Sequence, residues 1–327
     1  MTEKGKQSMD EEEKPEWSDA KLQASERPAG REESNQPGAE TPQNPGQPGQ
    51  PSDQADPGAH TGGTPVRTLL RSLSVAFSIY SKIPMPRFVW GSSDMEYHLI
   101  FFPAVGAVIG LLEIALAACF CHFAGPGADS AGNQAAALTA TALPLIVTGG
   151  FHMDGYLDTM DAIHSYGNRE KKLAIMDDPH IGGFAVIWAM VWALLTTAGY
   201  LGVLGNPKAL YCTALGFPLS RAFSGLGVVT IPSAKKKGML ATFSGTAAKR
   251  TVTGTLAVEI AMIGLVLILL SPVIGTAVFA ACGLTFLAYR SWSLRAFGGI
   301  TGDLAGWFVT VSELVLLLTA AVCSRLL

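Results

Sequence analysis

Three aspartates, Asp154, Asp158 and Asp161, stand at spacings of four and three in the stretch GGFHMDGYLDTMDAIHSYGNREKKLAIMDDPHIGG, which runs from Gly149 to Gly183. On a helix, at about 100° per residue, they fall within an arc of roughly 60°. Carboxylates crowded on one face repel, and a cation that neutralises them gives the arrangement a purpose. All-oxygen ligands favour magnesium or manganese over zinc. Asp177 and Asp178 follow after a basic segment, Arg169, Lys171 and Lys172. Acid to hold a metal and base to meet phosphate is the equipment of phosphoryl transfer. The plainer reading is a solvated acidic loop, and the setting of the stretch weighs against it.

That setting is a membrane. Of the 327 residues, 49% are hydrophobic and 15% charged, and mean hydropathy is +0.31, a balance poor in charge for a water-soluble domain. The net charge of −3 describes a tail: 13 of the 26 acidic residues, but six of the 23 basic ones, precede Val66. The remainder carries 13 acids and 17 bases. Residues 1–65, rich in Pro, Gly, Gln, Glu and Ser, hold too few large apolar side chains to offset the entropy of ordering and are predicted to be disordered. The first 30 residues show no apolar core of a signal peptide. Residues 66–327 are predicted to form one membrane-embedded catalytic domain.

Its predicted fold is all-α and polytopic. VRTLLRSLSVAFSIY, with Leu69, Leu70, Leu73 and Phe77 at helical spacing, suits an interfacial or core helix that Pro84 and Pro86 end. Apolar runs follow at about 98–121, 135–151, 183–204, 207–229, 252–270, 272–289 and 305–324, most of them near the ~20 residues of a spanning helix. About seven transmembrane helices are expected.

With a cytoplasmic N-terminus, nearly all the Lys and Arg residues outside the spans fall on one side, including Lys82, Arg87, Arg169, Lys171, Lys172, Lys235, Lys236, Lys237, Lys249, Arg250, Arg290 and Arg295. Lys208 and Arg325 fall outside. This asymmetry puts every aspartate of the opening stretch at the cytoplasmic surface and the C-terminus outside, in a multi-pass cell-membrane protein.

Gly106 and Gly110 form a GxxxG for close helix approach. Glu113, Arg221, Glu259 and Glu313 lie at membrane depth, where ionisable groups are paired or functional. Arg221 is read either as a phosphate ligand or as half of an ion pair. The island AFGGITGDLAG brings glycines, Thr301, Gly302 and Asp303 to the start of the last helix, where backbone N–H groups and a carboxylate can meet phosphate or its metal. Cys119, Cys121, Cys212, Cys282 and Cys323 show neither CxxC nor a zinc spacing and read as reduced thiols.

Taken in order, KIPMPRF with Trp90, FFPAVGAVIG, GGFHMDGYLDTMDA, IMDDPHIGGF, PLSRAF, KKKGMLATF and GGITGDLAG with Glu313 resemble the cobalamin synthase (adenosylcobinamide-GDP ribazoletransferase) family from about Phe77 to the C-terminus. The resemblance implies a Mg²⁺-dependent membrane enzyme that joins adenosylcobinamide-GDP to α-ribazole or its 5′-phosphate and releases GMP. It involves no nucleic acid and leaves a homo-oligomer open.

On the family's motifs, Asp154, Asp158 and Asp161 are the implied metal ligands and, with Asp303, the catalytic carboxylates. Arg221, Asp178, His180, Thr301 and Gly302 are the implied substrate-binding residues. Asp158 or Asp161 would take the hydroxyl proton, with His152, His164 and His180 as alternatives.

The chain departs from the family's common pattern at Asp177 and His180, where Lys and Arg are usual, and at Trp307 and Thr310. Two other readings compete. A CDP-alcohol phosphotransferase also carries aspartates at helical spacing, but its signature needs Ala-Arg where Leu157 and Asp158 stand. A transporter would use Glu113, Glu259 and Glu313.

Overall fold

The computed structural model describes residues 65–124, 130–235 and 238–327. The tail, up to residue 64, lies outside the described residues, as do Asp129, Lys236 and Lys237. Among the described residues all regular elements are helices, joined by loops, and the one β feature is an isolated parallel bridge between Ser233 and Ile300. In chain order the helices are α1 (Pro65–Tyr80), α2 (Ser92–Met95), a 3₁₀ turn (His98–Phe101), α3 (Phe102–Ala124), α4 (Ser130–Thr148), α5 (Phe151–His164) and α6 (Arg169–Met176). They continue with α7 (Gly183–Val203), α8 (Pro207–Thr230), α9 (Met239–Thr246), α10 (Lys249–Leu270), α11 (Pro272–Phe297) and α12 (Gly302–Leu326).

Six helical segments among the described residues are long and apolar enough to cross a membrane: His98–Phe123, α7, α8, α10, α11 and α12. A seventh span exists if α4 and α5 count as one broken crossing. Leu111, Leu194, Leu269 and Leu284 are among many exposed large apolar side chains on these helices, a surface suited to hydrocarbon rather than water.

α8 is the axis of the bundle and is buried along most of its length. α3 lies against it through the predicted GxxxG. A Cβ on Gly106 would sit 2.5 Å from the Phe217 carbonyl oxygen, and one on Gly110 would sit 2.3 Å from that of Ala214. Pro218 has no N–H to give the Ala214 carbonyl one turn back, so Gly110 covers the acceptor that the proline leaves free.

Two sequence expectations need correction. The run 135–151 is not a straight span. Gly149 (φ +64°) and Gly150 (φ +77°) take left-handed conformations, and the chain turns by 98° into α5. At 14 residues, or about 21 Å, α5 is too short to cross and lies outside the spanning segments. The run 272–289 extends to Phe297, so Arg290 and Arg295 belong to the last turns of α11 rather than to a loop.

α1 buries Ser72, Val75, Ala76 and Tyr80 and exposes Val66, Leu69 and Leu70. Its Arg71 pairs with the buried Asp94 at 2.9 Å, which fixes α1 to α2.

Candidate active site

Three stretches meet at one end of the bundle: the turn into α5 with α5 and α6, the loop from α8 to α9, and the turn from α11 to α12. α5 buries His152, Gly155, Tyr156, Thr159, Met160 and Ala162 and turns its aspartates outward, with Asp154 exposed and Asp158 half-buried. α12 crosses it at two glycines. A Cβ on Gly155 would lie 2.8 Å from both Cα and the carbonyl oxygen of Asp303, and one on Gly306 would lie 3.0 Å from the His152 carbonyl oxygen. The absence of side chains at the crossing sets the Asp303 backbone directly on α5, between Asp154 and Asp158 in sequence.

Gly298 (φ +70°) ends α11, with its N–H donated to Leu294. The backbone after it is stitched to the α8–α9 loop: the Ile300 N–H donates to the Pro232 carbonyl at 2.9 Å, and the Ala234 N–H to the Ile300 carbonyl at 2.8 Å. Thr301 caps α12, its hydroxyl oxygen accepting the Leu304 N–H at 3.2 Å. The same hydroxyl lies 3.3 Å from Asp303 Oδ2. Gly302, the first residue of α12, is exposed.

The electrostatics tie these pieces together. Burial first, then the negative charges of Asp154, Asp303 and Asp161, push Asp158 up to about 7, and Lys235 opposes them. Asp158 is therefore the centre of a carboxylate row drawn from α5 and α12. Like charges held at this density favour a cation. Among the described residues no three His, Cys, Asp or Glu side chains converge at single-ion spacing. A Mg²⁺ that keeps waters and shares substrate phosphates needs only one or two carboxylates, and the oxygen-only donor set fits it.

Asp161 has a different occupation. Its carboxylate accepts the Gly182 N–H at 2.7 Å and the Ala185 N–H at 2.9 Å, satisfying the first turn of α7 as a cap does. This binds the end of α5 to the start of α7 and distinguishes Asp161 from Asp158, which the sequence left as equal candidates for the base.

The histidines are also committed. The His164 Nδ1–H donates to the Met160 carbonyl at 2.8 Å and its Nε2 accepts the Trp188 indole N–H at 3.0 Å, so both nitrogens are used. His152 is buried beside Tyr80 and Phe102. Burial, and then the Arg221 charge, hold it well below its ordinary pKa. His180 is exposed and folds onto Asp178, whose Oδ1 accepts its backbone N–H at 3.0 Å and lies 2.7 Å from its Nδ1. The backbone donation lowers the Asp178 pKa.

Arg221 is 1% exposed and forms an ion pair with Glu313. It also donates to the Phe217 carbonyl at 3.0 Å. Of the two sequence readings, the geometry gives the ion pair. Glu113 accepts the Tyr200 hydroxyl at 3.0 Å, so two of the three carboxylates that a transporter would use are tied into the core.

Lys235 and Asp177 were not among the sequence candidates for the site, and here they pair at 2.6 Å. The signal was present in KKKGMLATF and in the second acidic pair. What was missing was the stitching of Pro232–Ala234 to Ile300, a contact across nearly 70 residues.

The fold and this end of the bundle together define a polytopic α-helical membrane protein with carboxylates from α5 and α12 gathered at one end. The family model described as cobalamin-5-phosphate synthase matches residues 72–321. Similar proteins include the adenosylcobinamide-GDP ribazoletransferases of Lachnoclostridium phytofermentans, 40% identical over 75% of this chain and 91% of the relative, and of Desulfitobacterium hafniense, 32% identical over 77% and 96%. That of Geotalea daltonii is 33% identical over 77% and 97%. No solved structure matches. The chain belongs to the cobalamin-5-phosphate synthase family, and not to the CDP-alcohol phosphotransferases.

Proposed function

We propose that this chain transfers the adenosylcobinamide phosphoryl group from adenosylcobinamide-GDP to α-ribazole or its 5′-phosphate, at the end of the bundle where α5 and α12 cross. The acceptor hydroxyl oxygen attacks the cobinamide-side phosphorus. A new P–O bond forms as the bond to GMP breaks, and the electron pair leaves on the GMP oxygen. The observation that carries the reading is the crossing of α5 and α12 at Gly155, where a Cβ would lie 2.8 Å from the Asp303 backbone, which brings Asp303 onto the helix that carries Asp154 and Asp158.

Asp154, Asp158 and Asp303 would hold Mg²⁺, which when bound stabilises negative charge on the transferring and leaving phosphates. The three residues offer more oxygens than such an ion needs, so one remains to take the hydroxyl proton. Asp161 acts as an anchor: by capping α7 it fixes the rotation of α5 and with it the direction of Asp154 and Asp158. Arg221 and Glu313 hold α8 to α12 beneath the row. Thr301 orients Asp303, and exposed Gly302, with Asp178 and His180 in the loop before α7, borders the space left for the donor.

The basic residues outside the spans support a cytoplasmic site with the C-terminus on the far side. Lys82 lies against Gly149, Arg169 against Gly298 and Lys235 against Asp177, all at the end of the bundle that carries the aspartates.

The test is GMP release by the purified protein in detergent with adenosylcobinamide-GDP and α-ribazole. Turnover is expected with Mg²⁺ and should vanish on chelation and return on re-addition. Turnover unaffected by chelation would remove the metal from the reading, and no transfer under any metal would remove the activity.

A further inference from the structure

Lys235 is placed with care. Its loop is stitched to Ile300, and its own carbonyl accepts the Ser233 hydroxyl at 2.7 Å. A Cβ on Gly299 would meet the Pro232 carbonyl oxygen at 2.3 Å, so the loop can come this close only because residue 299 has no side chain. The result is a cation whose charge reaches both Asp158 and Asp303 while its ammonium is bonded to Asp177. Among the described residues, three other cations are occupied elsewhere. Arg169 lies on Gly298 and donates to the Ala234 carbonyl. Lys171 donates to the Tyr166 carbonyl, and Arg221 is buried against Glu313.

We infer that Lys235 is a ligand for the diphosphate of the nucleotide donor, held at the edge of the carboxylate row by Asp177 until the donor arrives. The inference rests on reading the α5–α12 crossing as the diphosphate site. A lysine ammonium on a flexible stem can leave one anion for another without moving its backbone. The Lys235 side chain is 25% exposed and that of Asp177 is 67% exposed. An ion pair this open adds little to stability, so its breaking is a small obstacle to binding. Asp177 acts on the donor only through Lys235, as a competitor for the same ammonium.

The two residues therefore have opposite signs, which a merely structural pair would not. In Lys235→Gln, KM for adenosylcobinamide-GDP and the inhibition constant for GMP should rise about tenfold, with KM for α-ribazole unchanged. In Asp177→Asn, both donor-side constants should fall about threefold. The double variant should match Lys235→Gln. Lys235→Arg should recover much of the donor affinity.

An unchanged donor KM in Lys235→Gln, or a weaker donor in Asp177→Asn, would overturn the inference. Asp154→Asn and Asp158→Asn run beside them separate the two failures. If these lose turnover while Lys235 and Asp177 are indifferent, only the role of Lys235 is wrong. If they keep turnover, the site itself is misplaced.

Discussion

At the residue scale, the spacing of four and three shows that Asp154, Asp158 and Asp161 share a face but cannot show that they differ in occupation. Asp161 is distinguished by the backbone N–H groups of Gly182 and Ala185, more than 20 residues downstream, and local periodicity carries no information about such a partner. The same holds for Arg221, whose choice between phosphate and Glu313 depends on how α8 and α12 pack. Substitution should separate the roles. Asp158→Asn relieves repulsion and removes a metal ligand, so thermal stability should hold or rise while GMP release falls more than tenfold, a barrier increase above about 1.4 kcal/mol. Asp161→Ala leaves two N–H groups at the start of α7 without their acceptor, at a cost of about 1–3 kcal/mol each. Its melting temperature in detergent should drop together with its activity. If Asp158→Asn melts earlier and Asp161→Ala does not, the assignments are reversed.

Among the elements, the spanning helices were legible because about 20 apolar residues in a row announce themselves. The bend between α4 and α5 was not, since GG inside an apolar run reads equally as a tolerated interruption. Only the left-handed φ values at both glycines turn the chain. The crossing of α5 and α12 through Gly155 and Gly306 was hidden for a similar reason: small residues permit contact without specifying the partner. Gly155→Ala tests that contact. The added methyl would press on the Asp303 backbone at 2.8 Å, and neither helix can yield without moving a carboxylate. The expected cost is about 1–3 kcal/mol in stability, with turnover reduced at least tenfold and Mg²⁺ required at higher concentration. Gly150→Ala meets nothing within 4 Å and disturbs only the left-handed backbone, at about 1 kcal/mol. It should lose some stability and keep its Mg²⁺ requirement. Equal Mg²⁺ curves for the two variants would show that the crossing does not set the site.

For the molecule as a whole, the order of apolar runs and the asymmetry of Lys and Arg together fix more than either does alone. In a seven-crossing arrangement, α3, α4, α7, α8, α10, α11 and α12 would return the chain to the aspartate end before α5, α9 and α12. Every piece of the site then lies at one end, and Asn206 and Ser324, which line a common cleft, lie at the other. With only six crossings the parity changes: if α4 entered and left on the same side, the segment before α3 and the turn into α5 would be separated by the membrane. The Lys82 N–H donates to the Val147 carbonyl at 2.8 Å, a contact that supports a crossing by α4. Labelling tests the parity directly. After replacement of the native cysteines, of which Cys119 and Cys121 are exposed, single cysteines at Lys172 and at Asn206 should react with an impermeant maleimide from opposite sides of sealed vesicles. Cysteines at the exposed Arg87 and at Arg250 should label with Lys172, and one at Ser324 with Asn206. Arg87 and Lys172 on opposite sides would break the seven-crossing arrangement, because the return through α4 would then be missing.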